Sequence, residues 1–330
     1  MHHKPQLAGI GYGLLAYVIW GCFPIYFRQL ADISPMDILS NRTAWAFVFV
    51  TALLTLRRRW DKVTSMFRSP RHLVRLSIAA LLLGSNWLGF LWALNQHQVV
   101  AASLGYFLTP LVNVLLALLV LKEKLNRKEW LAIALAAAAV FNELFTLGTL
   151  PWISLFLAGT FGLYGLLRKQ VPVDAISGLW LETLAMLPIC LIYAAWQAEH
   201  GHHVFGHFSG LTAGNDLGAM VPALLIGSGI MTAVPLMAFA AATQRLDLAT
   251  VGMLMYINPT MQFLTAIFLF DEPLQPARLV SFALIWLGLL IFSWSIWEKV
   301  KGKQSVAPSA PLESMADPSV NSEGTPETKT

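Results

Sequence analysis

Two ionisable side chains stand inside long apolar stretches of this sequence, Arg42 within 37–56 and Glu182 within 175–195. Charge at bilayer depth costs about 2.5–3.5 kcal/mol on insertion scales, so a retained one is first a candidate for chemistry. Glu182 would act as a coupling carboxylate, taking up a proton or holding a substrate ammonium. Its structural alternative is a hydrogen-bonded post between helices. Arg42 would grip a carboxylate or phosphate with two parallel N–H groups. Alternatively it would reach the outer headgroups, about 8 Å away at ~1.5 Å per residue. Glu182 falls about 10 Å above the inner edge of its stretch, so a direct Arg42–Glu182 bridge is not expected.

Around these charges lies an uncharged polar set: Asn41, Asn86, Asn95, Asn113, Asn258, Gln262, Ser103 and Thr232. Roughly a third are expected to line a pathway and the others to hydrogen-bond between helices. Tyr17, Trp20, Trp87, Trp92, Tyr106, Tyr164 and Tyr256 would wall a cavity, whereas Trp60, Trp130, Trp152 and Trp297 read as interfacial anchors. The candidate substrate-binding set is therefore Trp20, Arg42, Asn86, Trp87, Tyr106, Asn113, Tyr164, Glu182, Tyr256 and Asn258, with Glu182 also the coupling candidate. Prolines interrupt apolar stretches at Pro24, Pro110, Pro188, Pro235 and Pro259, and each removes a backbone donor. Pro24, Pro110, Pro235 and Pro259 are the expected hinges. Cys22 and Cys190 lack metal-ligand spacing, and His200, His202, His203 and His207 read as a solvated loop. No metal and no cofactor is expected.

The elements that must position these residues follow from composition. The chain has 330 residues, 56% hydrophobic and 12% charged, with mean hydropathy +0.61. A soluble domain would carry roughly 25% charged residues. A hydrocarbon core of about 30 Å needs about 20 helical residues. Ten stretches qualify: 7–27, 37–56, 76–95, 101–121, 130–147, 150–167, 175–195, 218–242, 248–270 and 277–297. The first reads as a retained span rather than a cleaved signal. The Ala-rich run Ala132–Ala139 reads as scaffold. With the N-terminus inside, nineteen of the twenty-two Lys and Arg residues fall on the cytoplasmic side, leaving Arg28, Arg42 and Arg278 outside. Both termini are then cytoplasmic. A net charge of +4, collected in loops against headgroups, does not suggest nucleic-acid binding.

A repeat sets the architecture. Pro110 precedes Glu123 by thirteen residues, as Pro259 precedes Glu272, and Gly13-Leu14 corresponds to Gly162-Leu163 at the same offset. Five spans per copy is odd, so the second copy crosses in the opposite sense. The expected fold is an all-α membrane protein of ten transmembrane helices in two inverted five-helix repeats. These are residues 1–148 and 149–298, followed by a disordered cytoplasmic tail over 299–330. Inverted repeats around a midplane site are a construction of secondary transporters. The expected partners are membrane lipid and a small-molecule substrate. No phosphate-binding loop or ATPase domain is present, and the sequence sets no oligomeric state.

Several words of sequence resemble the RarD branch of the EamA-type transporters, in the drug/metabolite transporter superfamily. They include Tyr17-x-x-Trp20-Gly21-x-x-Pro24, Asp37-Ile38-Leu39-x-x-Arg42-x-x-Trp45 and Asn86-Trp87-Leu88. Ser103-Leu104-Gly105-Tyr106-Phe107-x-x-Pro110, Tyr164-Gly165-Leu166-x-Arg168-Lys169, Gly178-Leu179-x-x-Glu182-Thr183 and Tyr256-Ile257-x-Pro259 continue the run. The resemblance covers about residues 7–297. It implies ten helices around a central cavity with alternating access, in the inner (plasma) membrane. The sequence departs from that pattern in its His-rich loop, its long tail, and Asp37, where the word often has Glu. The function expected is a permease or exporter of a small organic solute such as an amino acid, metabolite or drug, proton-coupled if Glu182 titrates. The alternatives are a non-transporting scaffold or receptor, and an intramembrane lipid-modifying enzyme. An enzyme would want clustered carboxylates, a metal, or a nucleophile beside a base, and the acidic residues inside the spans are isolated.

Overall fold

The computed structural model describes residues 3–96, 98–148, 152–202, 204–205, 220–270 and 276–305. Of the residues singled out above, His203, His207, Glu272, the side chain of Asn95 and the segment 306–330 lie outside this description. The described chain is helical, as a chain in hydrocarbon must be if every backbone group is to be satisfied within its own segment. Its helices are α1 (His3–Gly21), α2 (Phe23–Phe27), α3 (Pro35–Leu56), α4 (Trp60–Phe67), α5 (Pro70–Asn95), α6 (Val99–Leu119) and α7 (Arg127–Leu147). They continue with α8 (Trp152–Gln170), α9 (Ala175–Glu199), α10 (Val221–Thr243), α11 (Leu248–Leu254), α12 (Ile257–Phe270) and α13 (Pro276–Ser305).

Among the described residues, nine stretches are long and apolar enough to cross a membrane, with α1–α2 and α11–α12 each acting as one broken stretch. The tenth expected stretch, 150–167, corresponds to α8, a nineteen-residue helix that falls outside that count. The reason is its composition, since Ser, Thr and Gly residues and the closing Arg168-Lys169-Gln170 lower its mean hydropathy. α8 packs against α5 and α6 and buries Ser154, Thr160, Tyr164 and Arg168. A helix walled by protein can carry polar groups that a lipid-facing helix cannot.

Large apolar side chains such as Leu56, Leu81, Phe141, Phe145, Ile192, Phe268 and Leu290 point outward. The interior is rich in small residues, among them Ala16, Ala46, Ala79, Ala233 and Ala242. Lipid is as apolar as leucine, so close approach of small residues rather than water exclusion drives such packing. The α3–α10 crossing is one close approach, since a Cβ on Gly229 would meet the backbone nitrogen of Ala46 at 2.6 Å. The Ala132–Ala139 run lies in the α7–α13 pair, fastened by Asn126 to Ser295 (2.6 Å) and Asn142 to Ser281 (2.9 Å). Pro24 follows the break between α1 and α2, and Pro259 follows the break between α11 and α12. Pro110, Pro188 and Pro235 sit within continuous helices.

The Gly229 contact carries a prediction. Gly229→Val forces α3 from α10 and lowers stability by about 1–3 kcal/mol, the usual cost of overpacking. Gly11→Ala, at a position open within 4 Å, leaves thermal unfolding in detergent unchanged or raised.

Candidate functional site

A cavity of about 510 Å³ opens in the middle of the bundle. The broken helix α1–α2 contributes Trp20, Phe23, Pro24 and Phe27, and α3 contributes Ile38, Leu39 and Arg42. From α5 come Asn86, Trp87 and Phe90, from α6 Ser103 and Tyr106, and from α12 Asn258 and Gln262. One end is bounded by Leu30, Ile33 and Pro35 of the α2–α3 connection, and the opposite end by Phe161, Leu236 and Met255.

Arg42 is the charged group of this wall among the described residues. Its Nε donates to Thr232 Oγ1 at 3.0 Å, and Thr232 in turn donates to the Ser228 carbonyl at 2.8 Å. The guanidinium carbon lies 4.4 Å from the centre of the Trp87 ring, with Phe27 and Phe23 at 5.8 and 5.9 Å. A planar cation on an indole face is a favourable and orienting contact. Asn86 ties α5 to α8 by donating to the Leu157 carbonyl (2.8 Å) and Thr160 Oγ1 (2.9 Å). Gln262 donates to Asn258 Oδ1 at 2.8 Å.

Of the ten substrate-binding candidates, Trp20, Arg42, Asn86, Trp87, Tyr106 and Asn258 face this cavity together, along with Ser103, Gln262 and the hinge candidate Pro24. Asn113, Tyr164, Glu182 and Tyr256 are buried elsewhere. Tyr256 donates to the Phe107 carbonyl at 3.2 Å, and Asn113 lies against Gly162, Gly165 and Gly252. Tyr164 donates to Glu182 Oε2 at 3.1 Å, and Glu182 Oε1 stands 3.4 Å from Arg168 Nη1.

Arg168 is the residue that sequence reasoning placed wrongly. Beside Lys169 it reads as one of the basic residues of an inner loop, yet its side chain is 1% exposed and Glu182 is 0% exposed. α8 continues to Gln170, and Gly178 on α9 leaves the space that the guanidinium fills; a Cβ there would strike it. The signal was available in Glu182 itself, because a buried carboxylate requires a counter-charge and Arg168 stands one short loop away.

An aromatic stack separates the two sites. Phe239 lies 5.8 Å from Trp20 and 5.4 Å from Phe161, both of the cavity wall, and stacks on Tyr164 at 5.9 Å and 14°. Beyond the stack, ion pairs and hydrogen bonds close one end of the bundle. Asp174 meets Arg59 (3.5 Å) and Lys62 (3.9 Å), and Glu123 meets Lys169 (3.9 Å) while accepting from the backbone of Leu248 (2.7 Å) and Ala249 (3.1 Å). At the other end, Asp37 accepts from Tyr193 at 2.8 Å and pairs with His202 at 2.7 Å, and Asn41 donates to the Val204 carbonyl at 2.8 Å. His200 turns to the Trp196 carbonyl.

The fold and cavity thus define a polytopic helical membrane protein with a half-enclosed, mostly apolar site of one positive charge. The chain belongs to the EamA-like transporter family, on its RarD branch, and is a membrane transporter rather than an enzyme. The family's profile matches residues 7–142. Protein RarD of Escherichia coli is 39% identical over 292 residues, 88% of this chain and 96% of that one. An uncharacterized transporter of Vibrio cholerae is 41% identical over 288 residues (86% and 91%), and the uncharacterized transporter YojE of Bacillus subtilis is 37% identical over 308 residues (92% and 99%). A solved crystal structure aligns with TM-score 0.64 at 17% identity, covering 87% of this chain and 96% of its own, a likeness of fold alone.

Two outcomes test the buried charges. Glu182→Gln strands Arg168 in the interior and costs about 3–5 kcal/mol in detergent unfolding, whereas Glu182→Gln with Arg168→Gln recovers most of the loss. Asp37→Ala removes the acceptor shared by Tyr193 and His202 and costs about 1–3 kcal/mol, more than His202→Ala, which removes one half-exposed partner.

Proposed function

We propose that this chain is a secondary transporter of a small organic solute, working by alternating access of two inverted five-helix halves in the inner membrane. The observation that carries the reading is the cavity itself, built by both halves, bounded by a loop at one end and stopped by an aromatic stack at the other. On the topology expected from the basic residues, with both termini cytoplasmic, the 30–35 loop is external. The closed end, where Arg59, Lys62 and Lys169 make their ion pairs, is cytoplasmic. The described state is then outward-facing.

The packing pattern supports an exchange of halves. Pairing α1 with α8, α3 with α9, α5 with α10, α6 with α11–α12 and α7 with α13 turns the α1–α10 contact into α8–α5 and α3–α10 into α9–α5. The same operation turns α6–α8 into the α12–α1 contact and returns α7–α13, α3–α9 and α6–α11 to themselves. Tyr256 donates to Phe107, its own counterpart 149 residues away, as residues near a two-fold axis do. The repeats are residues 1–148 and 149–298; Pro259 corresponds to Pro110, and Pro24 and Pro259, each beside a helix break in its own half, are the leading hinges. Glu182 serves in this reading as half of an ion pair that joins α8 to α9 within the second half, and a coupling role for it would require that pair to part.

Thiol labelling tests this directly. In a Cys22→Ser, Cys190→Ser background, a membrane-impermeant reagent is expected to modify Ser103→Cys from the external face, and a transported solute to slow that labelling and cross proteoliposomes by counterflow. Labelling from the cytoplasmic face alone would overturn the topology. A folded protein that moves none of a panel of anionic, zwitterionic, neutral and cationic solutes would be a scaffold or receptor.

A further inference from the structure

We infer that the solute of this cavity is a small organic monoanion, its carboxylate on Arg42 and its apolar, preferably aromatic, body against Trp20, Trp87 and Phe90. The inference rests on the transporter reading for the word solute, but the binding chemistry stands on the cavity alone.

The charge count decides the sign. Among the described residues of the wall, Arg42 contributes the one formal charge and none is a carboxylate. Asp37, the nearest acid on α3, is buried and held by Tyr193 and His202, and Asp32 is exposed outside the wall. Arg28 lies 4.3 Å over the Phe270 ring and outside the cavity wall. A cationic solute would meet repulsion and no counter-ion. A neutral one would strip water from Arg42 without replacing it, which is costly in a low dielectric.

Arg42 is also prepared for an oxyanion. Thr232 holds Nε and Trp87 holds the plane, while the two Nη groups make no hydrogen bond or ion pair among the described residues. That leaves the end of the fork, which matches a carboxylate with two parallel N–H···O bonds. One cation calls for one negative charge. The rest of the wall is apolar and aromatic apart from Asn86, Ser103, Tyr106, Asn258 and Gln262, and a cavity of about 510 Å³ falls within the roughly 300–1,000 Å³ of metabolite and drug sites.

The test uses three probes of one shape: 3-phenylpropionate, 3-phenylpropan-1-ol and 3-phenylpropylamine, titrated calorimetrically onto the full chain in phosphatidylcholine nanodiscs. The acid should bind at least about ten-fold tighter than the alcohol, with the amine weakest. Arg42→Gln should abolish the preference for the acid, Arg42→Lys keep part of it, and Thr232→Val weaken the acid several-fold without affecting the alcohol. Should Arg42→Gln fail to fold, the lysine and Thr232 variants carry the comparison. Equal binding of the alcohol or amine overturns the inference, as does acid binding insensitive to Arg42→Lys and Thr232→Val. It is also overturned if no carboxylate from propionate to indole-3-acetate binds in phosphatidylcholine. Loss of acid binding on adding phosphatidylglycerol would assign the Arg42 site to a lipid phosphate and overturn it likewise. Arg42-dependent acid binding without counterflow would sink the transporter reading and leave the anion site standing. Counterflow of neutral or cationic solutes unaffected by Arg42→Gln would do the reverse.

Discussion

A charge inside this bundle must be matched or hydrated, and the two interior arginines meet that demand in opposite ways. Arg168 is matched. It lies against Glu182 at 3.4 Å, in a space that exists because residue 178 is glycine, and Tyr164 occupies the second carboxylate oxygen. Arg42 has no acid partner among the described residues and instead faces a cavity, with Thr232 and Trp87 against it. Desolvation makes a half-satisfied ion costly, so the first arrangement favours a closed region and the second an open one. The aromatic stack of Trp20, Phe161, Phe239 and Tyr164 is the wall between them.

The same demand organises the ends of the bundle. On the closed side the short loops are joined by ion pairs and by Glu123, which caps the free amides that open α11. On the cavity side the connection after α9 folds back onto α3 through His202 and Val204. Asp37 and the His-rich loop meet here, where the buried carboxylate finds its second partner in His202.

Much of this was legible in the sequence because hydrocarbon is an unforgiving solvent. Apolar stretches of spanning length could only be helices, Trp20, Trp87 and Tyr106 stood out as aromatic groups, and Arg42, Asn86 and Asn258 as charged or polar groups inside spans, with headgroup contact still open for Arg42. What sequence could not supply was direction around each helix axis. Helices apolar on nearly every face carry no strong pattern to separate a cavity-facing position from an interior one, and Asn113, Tyr164 and Tyr256 look the same as Tyr106 until the bundle is assembled. Arg168 was hidden by a different rule. A basic pair at the end of a span is what the positive-inside bias provides everywhere, and Lys169, which does reach loop partners, is the ordinary case beside the exceptional one.

The energies bound how such a device would work. A ligand shifts a two-state equilibrium only by its differential affinity for the two states, and taking it from 1:99 to 99:1 requires about 5.5 kcal/mol. A carboxylate on Arg42 contributes about 1.5–3 kcal/mol as a charged hydrogen bond, and burying an aromatic body adds a comparable amount. Together these barely reach the requirement, so the closed side of the proposed transporter cannot be deeply stable. Its exposed pairs, Asp174 with Arg59 and Lys62, suit that limit at about 0–1 kcal/mol each. The Arg168–Glu182 pair does not, because breaking it strands two buried charges. The alternating access proposed for this bundle would therefore favour motions that carry α8 and α9 together with their ion pair intact, with the changing contacts in the aromatic stack and the loop ends.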